Sequence, residues 1–397
     1  MRYPAPGSSR PIVPLTTDRL TSRDIGYMTT PSTQNPSAML AEHQRLATSG
    51  ARAVLPFWTG TDLRLAIPQL AVDIPDSPAH MNGGDSDVDM LLYRWLEGQF
   101  VADGRMPVPG GEDAHFFQID GSDFLATASI RTGAGPYDLN TDSVLYRRSG
   151  SQWAALQRFP TFAAKQWHHF AIGTRHFLAL AQGVTLDGPV ARNPRHSRIF
   201  EWDGRQFIDF QTLAGGWGYN WTHFELGGQH FLGYADHTSP SMLLIWDGRS
   251  FTPFQELSPQ GGRAFEFLEM DGQAWLAFAN LTGESFLHRW QGGRFVPHQS
   301  LGGPGAREFA LARTENGIFL VKVNFIHGTP AQPKTDLTSC IYHWKEGQFV
   351  VVAEFPTYGA TDAAIFQTAG QHYLAVSNSL SREIRFREDT VIYRLNI

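Results

Sequence analysis

The 397-residue chain carries 32 Lys and Arg against 38 Asp and Glu, a formal net charge of −6, with 42% hydrophobic and only 18% charged residues. That balance excludes a disordered chain, and the scattered basic residues form no stripe of the kind a phosphate backbone needs, so nucleic acid is set aside as a partner. The single cysteine, Cys340, excludes an internal disulfide, and no segment is long and apolar enough to span a bilayer.

Residues 1–11 hold Arg2 and Arg10 but no apolar run behind them, so they do not read as a secretory signal. The expectation is a cytoplasmic protein without membrane contact, folded as a single domain over 1–397. Residues 11–15, Pro-Ile-Val-Pro-Leu, read as an edge strand, because proline suits an edge where no ladder donor is required. The following segment, 16–50, reads as an insert carrying a short helix over 37–47. Ser37 caps that helix, and Met39, Leu40 and Leu46 are its apolar residues.

From residue 51 to the end, two anchors recur. The first is an aromatic-Leu-Ala type strand after a glycine turn, at Phe124-Leu125-Ala126, Phe177-Leu178-Ala179, Phe231-Leu232-Gly233, Trp275-Leu276-Ala277, Phe319-Leu320-Val321 and Tyr373-Leu374-Ala375. A degenerate copy begins at Leu63. The second is a Tyr-Arg-Trp type strand whose tryptophan position is held by Trp95, Arg148, Trp202, Trp246, Trp290, Trp344 and Leu395. Seven matched pairs at a period of about 40 to 55 residues fit the four-stranded blades of a β-propeller. The predicted fold is therefore all-β, a seven-bladed β-propeller. The last repeat ends after its third strand, so the strand at 11–15 is expected to complete it and close the ring.

Segments such as Phe295-Val296-Pro297-His298-Gln299-Ser300 and Gly227-Gly228-Gln229-His230-Phe231-Leu232 resemble the epilepsy-associated (EAR, EPTP or epitempin) repeat, which builds the propeller half of the leucine-rich glioma-inactivated proteins. The resemblance covers about residues 51–397 and implies a binding propeller. It also implies carboxylates at Asp113-like and Glu266-like positions that could hold calcium. Here several of those positions are His, Gln or Asn, and calcium wants six to eight oxygens and does not favour imidazole.

Because strands alternate in direction, the loops joining strands 2 and 3 share a face with the starts of the inner strands. These loops are long near 68–90, 129–142, 182–196, 324–338 and 379–389, and short near 236–241 and 280–284. The insert 16–50 falls on the same face. Loops carry function on rigid scaffolds, so the site is expected at this loop-rich mouth.

The inner strands bring polar groups to it. Asp113, Gln166, Trp167, Asn220, Trp221, Glu266, Arg307, Glu308 and Asp362 are the expected ligand-binding residues. His115, His168, His169 and His223 are the expected acid–base residues, with His115, His168 and His223 as an alternative metal set, since imidazole suits both duties. Each of these histidines equally admits a structural role as a satisfied polar group of the core. His176, His230 and His372 precede the aromatic-Leu-Ala strand and read as repeat structure. Two functions follow: a binding module that takes a small molecule or protein partner, or an enzyme, metal-dependent in one version, that acts on a small molecule at the same mouth. The cofactor is unknown, a metal ion in the channel mouth being the candidate.

Overall fold

The run from Phe177 to Gln182 buries every side chain, which a strand does only where sheets cover both of its faces. The computed structural model, which describes residues 39–185 and 193–397, supplies those two covers. Among the described residues, seven four-stranded antiparallel sheets stand as blades around a central channel, with one small hairpin, His327–Thr329 with Gln332–Lys334, added in a loop. Blades 1 to 6 span 55–107, 111–162, 164–214, 218–258, 262–300 and 306–358.

Blade 7 takes three strands from 360–395 and its outer strand from Leu40–Leu46, which pairs antiparallel with Thr390–Leu395. This corrects one expectation. The ring is closed by a strand from the N-terminal side, but the outer position belongs to 40–46, where a helix was expected. Residues 11–15 lie outside the described residues, as does the rest of the insert up to 38. Met39, Leu40 and Leu46, taken as a helical stripe, instead bury themselves against blade 7 and its neighbours. Their apolar spacing suits either period, and pairing with an otherwise open strand edge decides for β.

The aromatic anchors form the blade-to-blade core. Each second strand packs between neighbours, and each tryptophan of the third strand meets the first aromatic of the fourth at close to 5 Å: Trp95 with Phe100, Trp202 with Phe207, Trp246 with Phe251, Trp290 with Phe295 and Trp344 with Phe349. Such edge-on pairs add to the area they bury. Cys340 lies half-buried in the third strand of blade 6.

A glutamine in the outer strand couples one blade to the next. Gln211 donates its amide N–H to the carbonyl of Phe251 (2.7 Å) and accepts the N–H of the same residue (2.9 Å). Gln157 holds Phe207 in this way, Gln255 holds Phe295 and Gln299 holds Phe349. At the closure Gln44 does the same to Phe100 of blade 1, at 2.7 and 2.9 Å. The joint between the two ends of the chain is thus built like the joints elsewhere in the ring. Replacing Gln44 leaves the N–H and C=O of Phe100 without these partners, so Gln44→Ala should lower stability by about 1–3 kcal/mol. Urea unfolding of the variant beside Gln255→Ala checks this, and a Gln44→Ala midpoint equal to wild type would remove Leu40–Leu46 from the closure.

Candidate functional site

Each inner strand begins at the loop-rich face with a bulge. The ladder slips by one residue between Gly111 and Asp113, Ala164 and Gln166, Gly218 and Asn220, Gly262 and Ala264, Ala306 and Glu308, and Ala360 and Asp362. The extra residues are Glu112, Lys165, Tyr219, Arg263, Arg307 and Thr361, and Arg52 holds the matching place in blade 1. A bulge re-aims side chains that strict alternation would turn aside. Just before it the backbone takes a left-handed turn, as at Gly110 (φ +53°), where an added Cβ would sit 2.4 Å from the carbonyl oxygen of Arg131.

The bulge positions therefore form a ring: four cations (Arg52, Lys165, Arg263, Arg307), one carboxylate (Glu112), one phenol (Tyr219) and one hydroxyl (Thr361). Sequence reasoning found only Arg307 among them. Six of the seven, all but Tyr219, stand two places after a left-handed Gly or Ala.

All of these groups except Arg263, together with the next positions along the strands, line a recess of about 280 Å³. Its walls include Asp113, Gln166, His168, Asn220, Trp221, Glu266, Arg307, Glu308 and Asp362. Eight of the nine expected ligand-binding residues are thus brought together. Trp167 is fully buried between blades 2 and 3, where its indole N–H donates to the carbonyl of Thr127.

Side chains one position past the bulge also stitch blades together. Asp113 accepts the N–H of Trp167 (2.8 Å), Gln166 that of Trp221 (2.6 Å) and Asp362 that of Val54 (2.8 Å). Two residues further on, the histidines repeat the device: Nε2 of His115 accepts the N–H of His169 (3.1 Å), and Nε2 of His168 accepts that of His223 (3.0 Å). His169 pairs with His176 and stacks on Phe117, while His223 pairs with His230 and stacks on Phe170.

Each of the four expected acid–base histidines therefore has a ring nitrogen engaged within the fold. Burial holds all of them neutral: His115 and His223 fall to about 4 and His169 to about 3, while His168 lies well below the usual range. Among the described residues no three His, Cys, Asp or Glu side chains come together as a metal site. The proposed metal set His115, His168 and His223 does not converge, because the nitrogens it would use on His115 and His168 already accept backbone hydrogens.

The charged groups of the recess are strongly perturbed. Burial alone would raise the Glu112 carboxyl, but Arg52 and Lys165 on either side hold it below its ordinary value. Burial lowers Lys165 to about 7 against the pull of Glu112, with Arg52 and Arg307 adding repulsion. Burial pushes Asp113 and Glu266 up to about 7 and Asp362 up to about 6. Glu308 rises well above the normal carboxyl value through burial and the neighbouring Asp362. Three cations gather round one ring: Arg263, Lys165 and Arg307 stand 3.9, 5.0 and 5.3 Å from the centre of Tyr219.

Above the recess the long loops close into an apolar collar that includes Leu70, Ile130, Val184, Phe325 and Leu380. Arg131, fully buried, anchors the first two loops by donating to Ser86 Oγ and to the carbonyls of Asn82 and Gly83.

Comparison with known proteins agrees with this architecture. The EPTP domain model matches residues 206–247, 250–291 and 348–396. Each matched stretch takes in the outer strand of one blade and the first three strands of the next. Three stretches of the propeller are EPTP repeats. Two curated relatives, the thrombospondin-type laminin G domain and EAR repeat-containing proteins of Homo sapiens and Mus musculus, are 31% and 32% identical over 116 and 123 residues. Those stretches are 29% and 30% of this chain but only 15% and 17% of the relatives' length. Among solved structures, SapL1 lectin in complex with alpha methyl fucoside aligns with 77% of this chain and 96% of its own, at 13% identity and a TM-score of 0.45.

The raised carboxyls of this propeller give a pH signature with a definite sign. Between 4.5, the ordinary value, and about 7, folded Glu266 keeps a proton that the unfolded chain has released. Its contribution therefore falls as pH rises through that window and is lost above 7. The lowered histidines act in the opposite sense, gaining stability for the fold between about 4 and 6.5. Glu266→Gln isolates the first effect: relative to wild type it should gain about 1–3 kcal/mol on going from pH 5 to pH 8. Unfolding curves at the two pH values check this, and an offset independent of pH would show that Glu266 ionises normally.

Proposed function

We propose that this propeller is a binding module that receives a small molecule, or one side chain of a protein partner, in the recess at the loop-rich mouth of its channel. The observation that carries the reading is the recess itself, about 280 Å³, lined by polar side chains whose hydrogen bonding the fold leaves unfinished. Among the described residues Glu266 and Arg307 make no hydrogen bond. Gln166 and Asn220 use only their carbonyl oxygens, towards Trp221 and Thr222. Buried polar groups normally find partners, so a wall of unengaged donors and acceptors facing a cavity suits a bound polar guest. The expected binding residues Asp113, Glu308 and Asp362 take part from the same wall.

The enzymatic reading has less behind it. Its acid–base histidines are neutral, half-buried and engaged within and between blades, and among the described residues the donor set for a metal does not assemble.

Native mass spectrometry of untagged protein isolated gently from its own host tests the proposal. Wild type should carry an excess mass, either a small molecule or a second polypeptide. Thr222→Tyr, which fills the recess with an aromatic ring, should lose it while melting within a few degrees of wild type. An excess mass retained at full occupancy by the filled variant would move the binding surface elsewhere.

A further inference from the structure

The ring of bulge residues specifies the chemistry of the guest, an inference that rests on binding at the mouth. Four of its seven members are cations, all at least nine-tenths buried, and a single carboxylate stands among them. Glu112 is already shared, joined by hydrogen bonds to Arg52 Nε (3.2 Å) and to Lys165 Nζ. The other two cations have no such partner. Arg263 is 2% exposed, yet its Nε meets no acceptor and its Nη1 reaches only His237 Nδ1 and the carbonyls of Gly261 and Gly262. Arg307 stands 3.8 Å from Glu308 without hydrogen-bonding to it.

The carboxyls one position along the strands do not fill the gap. Asp113 and Asp362 point oxygens at the backbone N–H groups of Trp167, Val54 and Ala363, and Glu308 accepts from Phe309. None hydrogen-bonds to a guanidinium. Three cations round Tyr219 repel one another, and attraction to one ring face offsets only part of a desolvated charge.

We propose that the mouth is a receptor for an anionic head group, a carboxylate or phosphate, seated among Arg307, Lys165 and Tyr219, with Arg263 stacked on the Tyr219 ring. Arginine suits that guest because its planar fork meets two oxygens at once. Deeper in the recess Gln166, Asn220 and Glu266 offer hydrogen-bonding groups to hydroxyls. A volume of about 280 Å³ equals about nine waters at ~30 Å³ each, so the part that enters is compact. It is a small hydroxy acid or phosphate ester, or the acidic terminus of a partner chain.

Titration calorimetry and melting curves with sodium phosphate and with citrate, against sodium chloride at matched ionic strength, test this on the full chain. The expected result is saturable stabilisation of wild type by phosphate or citrate. Arg307→Gln should weaken it by about tenfold or more and Arg263→Gln, which acts through Tyr219, by less, while Arg307→Lys should keep much of it. Circular dichroism of each variant separates lost binding from lost folding. A peptide with a free C-terminal carboxylate, compared with its amide, distinguishes a partner chain from a free metabolite.

Stabilisation that survives both glutamine variants would place the anion elsewhere and overturn the proposal. If glucose or choline binds instead and Thr222→Tyr removes it, the mouth remains a binding site and the anionic assignment fails. If no probe binds, and native protein also carries no excess mass that Thr222→Tyr removes, both readings fall.

Discussion

The joint between neighbouring blades is the interaction on which the rest of this structure depends. A propeller blade is a small twisted sheet that cannot bury both faces by itself, so its stability lies in its contacts with the next blade. Apolar packing alone would let blades slide, because dispersion and burial have no direction. The glutamine amides remove that freedom at the rim, since one amide satisfies both the N–H and the C=O of a single residue on the neighbour. Nearer the axis, Asp113, Gln166, His115, His168 and Asp362 do the same with one bond each. Register is pinned at two radii, and the recess at the centre inherits that precision.

The outer glutamines also explain which part of the reading was legible and which was not. Aromatic-Leu-Ala and Tyr-Arg-Trp strands are buried on fixed faces in every blade, so burial writes them into the sequence as large apolar residues. The closing strand has no such mark. Leu40–Leu46 is exposed along much of its length and carries only two buried leucines, and two apolar residues six apart do not separate a strand from a helix. Its signature was polar: Leu40-x-x-x-Gln44 repeats the spacing of Phe207 to Gln211, Phe251 to Gln255 and Phe295 to Gln299.

The site was half legible for a related reason. Asp113, Gln166, Asn220, Glu308 and Asp362 follow the alternation expected of a strand, and the structure gathers them in one recess. The bulge breaks that alternation. It turns two consecutive residues toward the axis, so Glu112, Lys165, Tyr219 and Arg263 face the recess side at positions that strict alternation would turn aside, and the sequence analysis did not single them out. With them went the cations of the mouth, since the bulge ring holds four cations and one carboxylate while the neighbouring positions supply the other carboxyls.

The histidines, which drew most attention as chemistry, are better understood through the cost of their position. A backbone N–H next to the channel needs an acceptor, and an ionised carboxylate there would be expensive where little water reaches. Neutral imidazole accepts through Nε2 while carrying no charge, and burial keeps it neutral around neutral pH. The carboxyls nearby reach a similar compromise by holding their protons to about pH 6 to 7. What the site cannot neutralise is arginine, whose proton stays on under all such conditions. Arg263 and Arg307 therefore stand apart from the groups that can surrender their charge, which is why the guest proposed for the mouth is an anion.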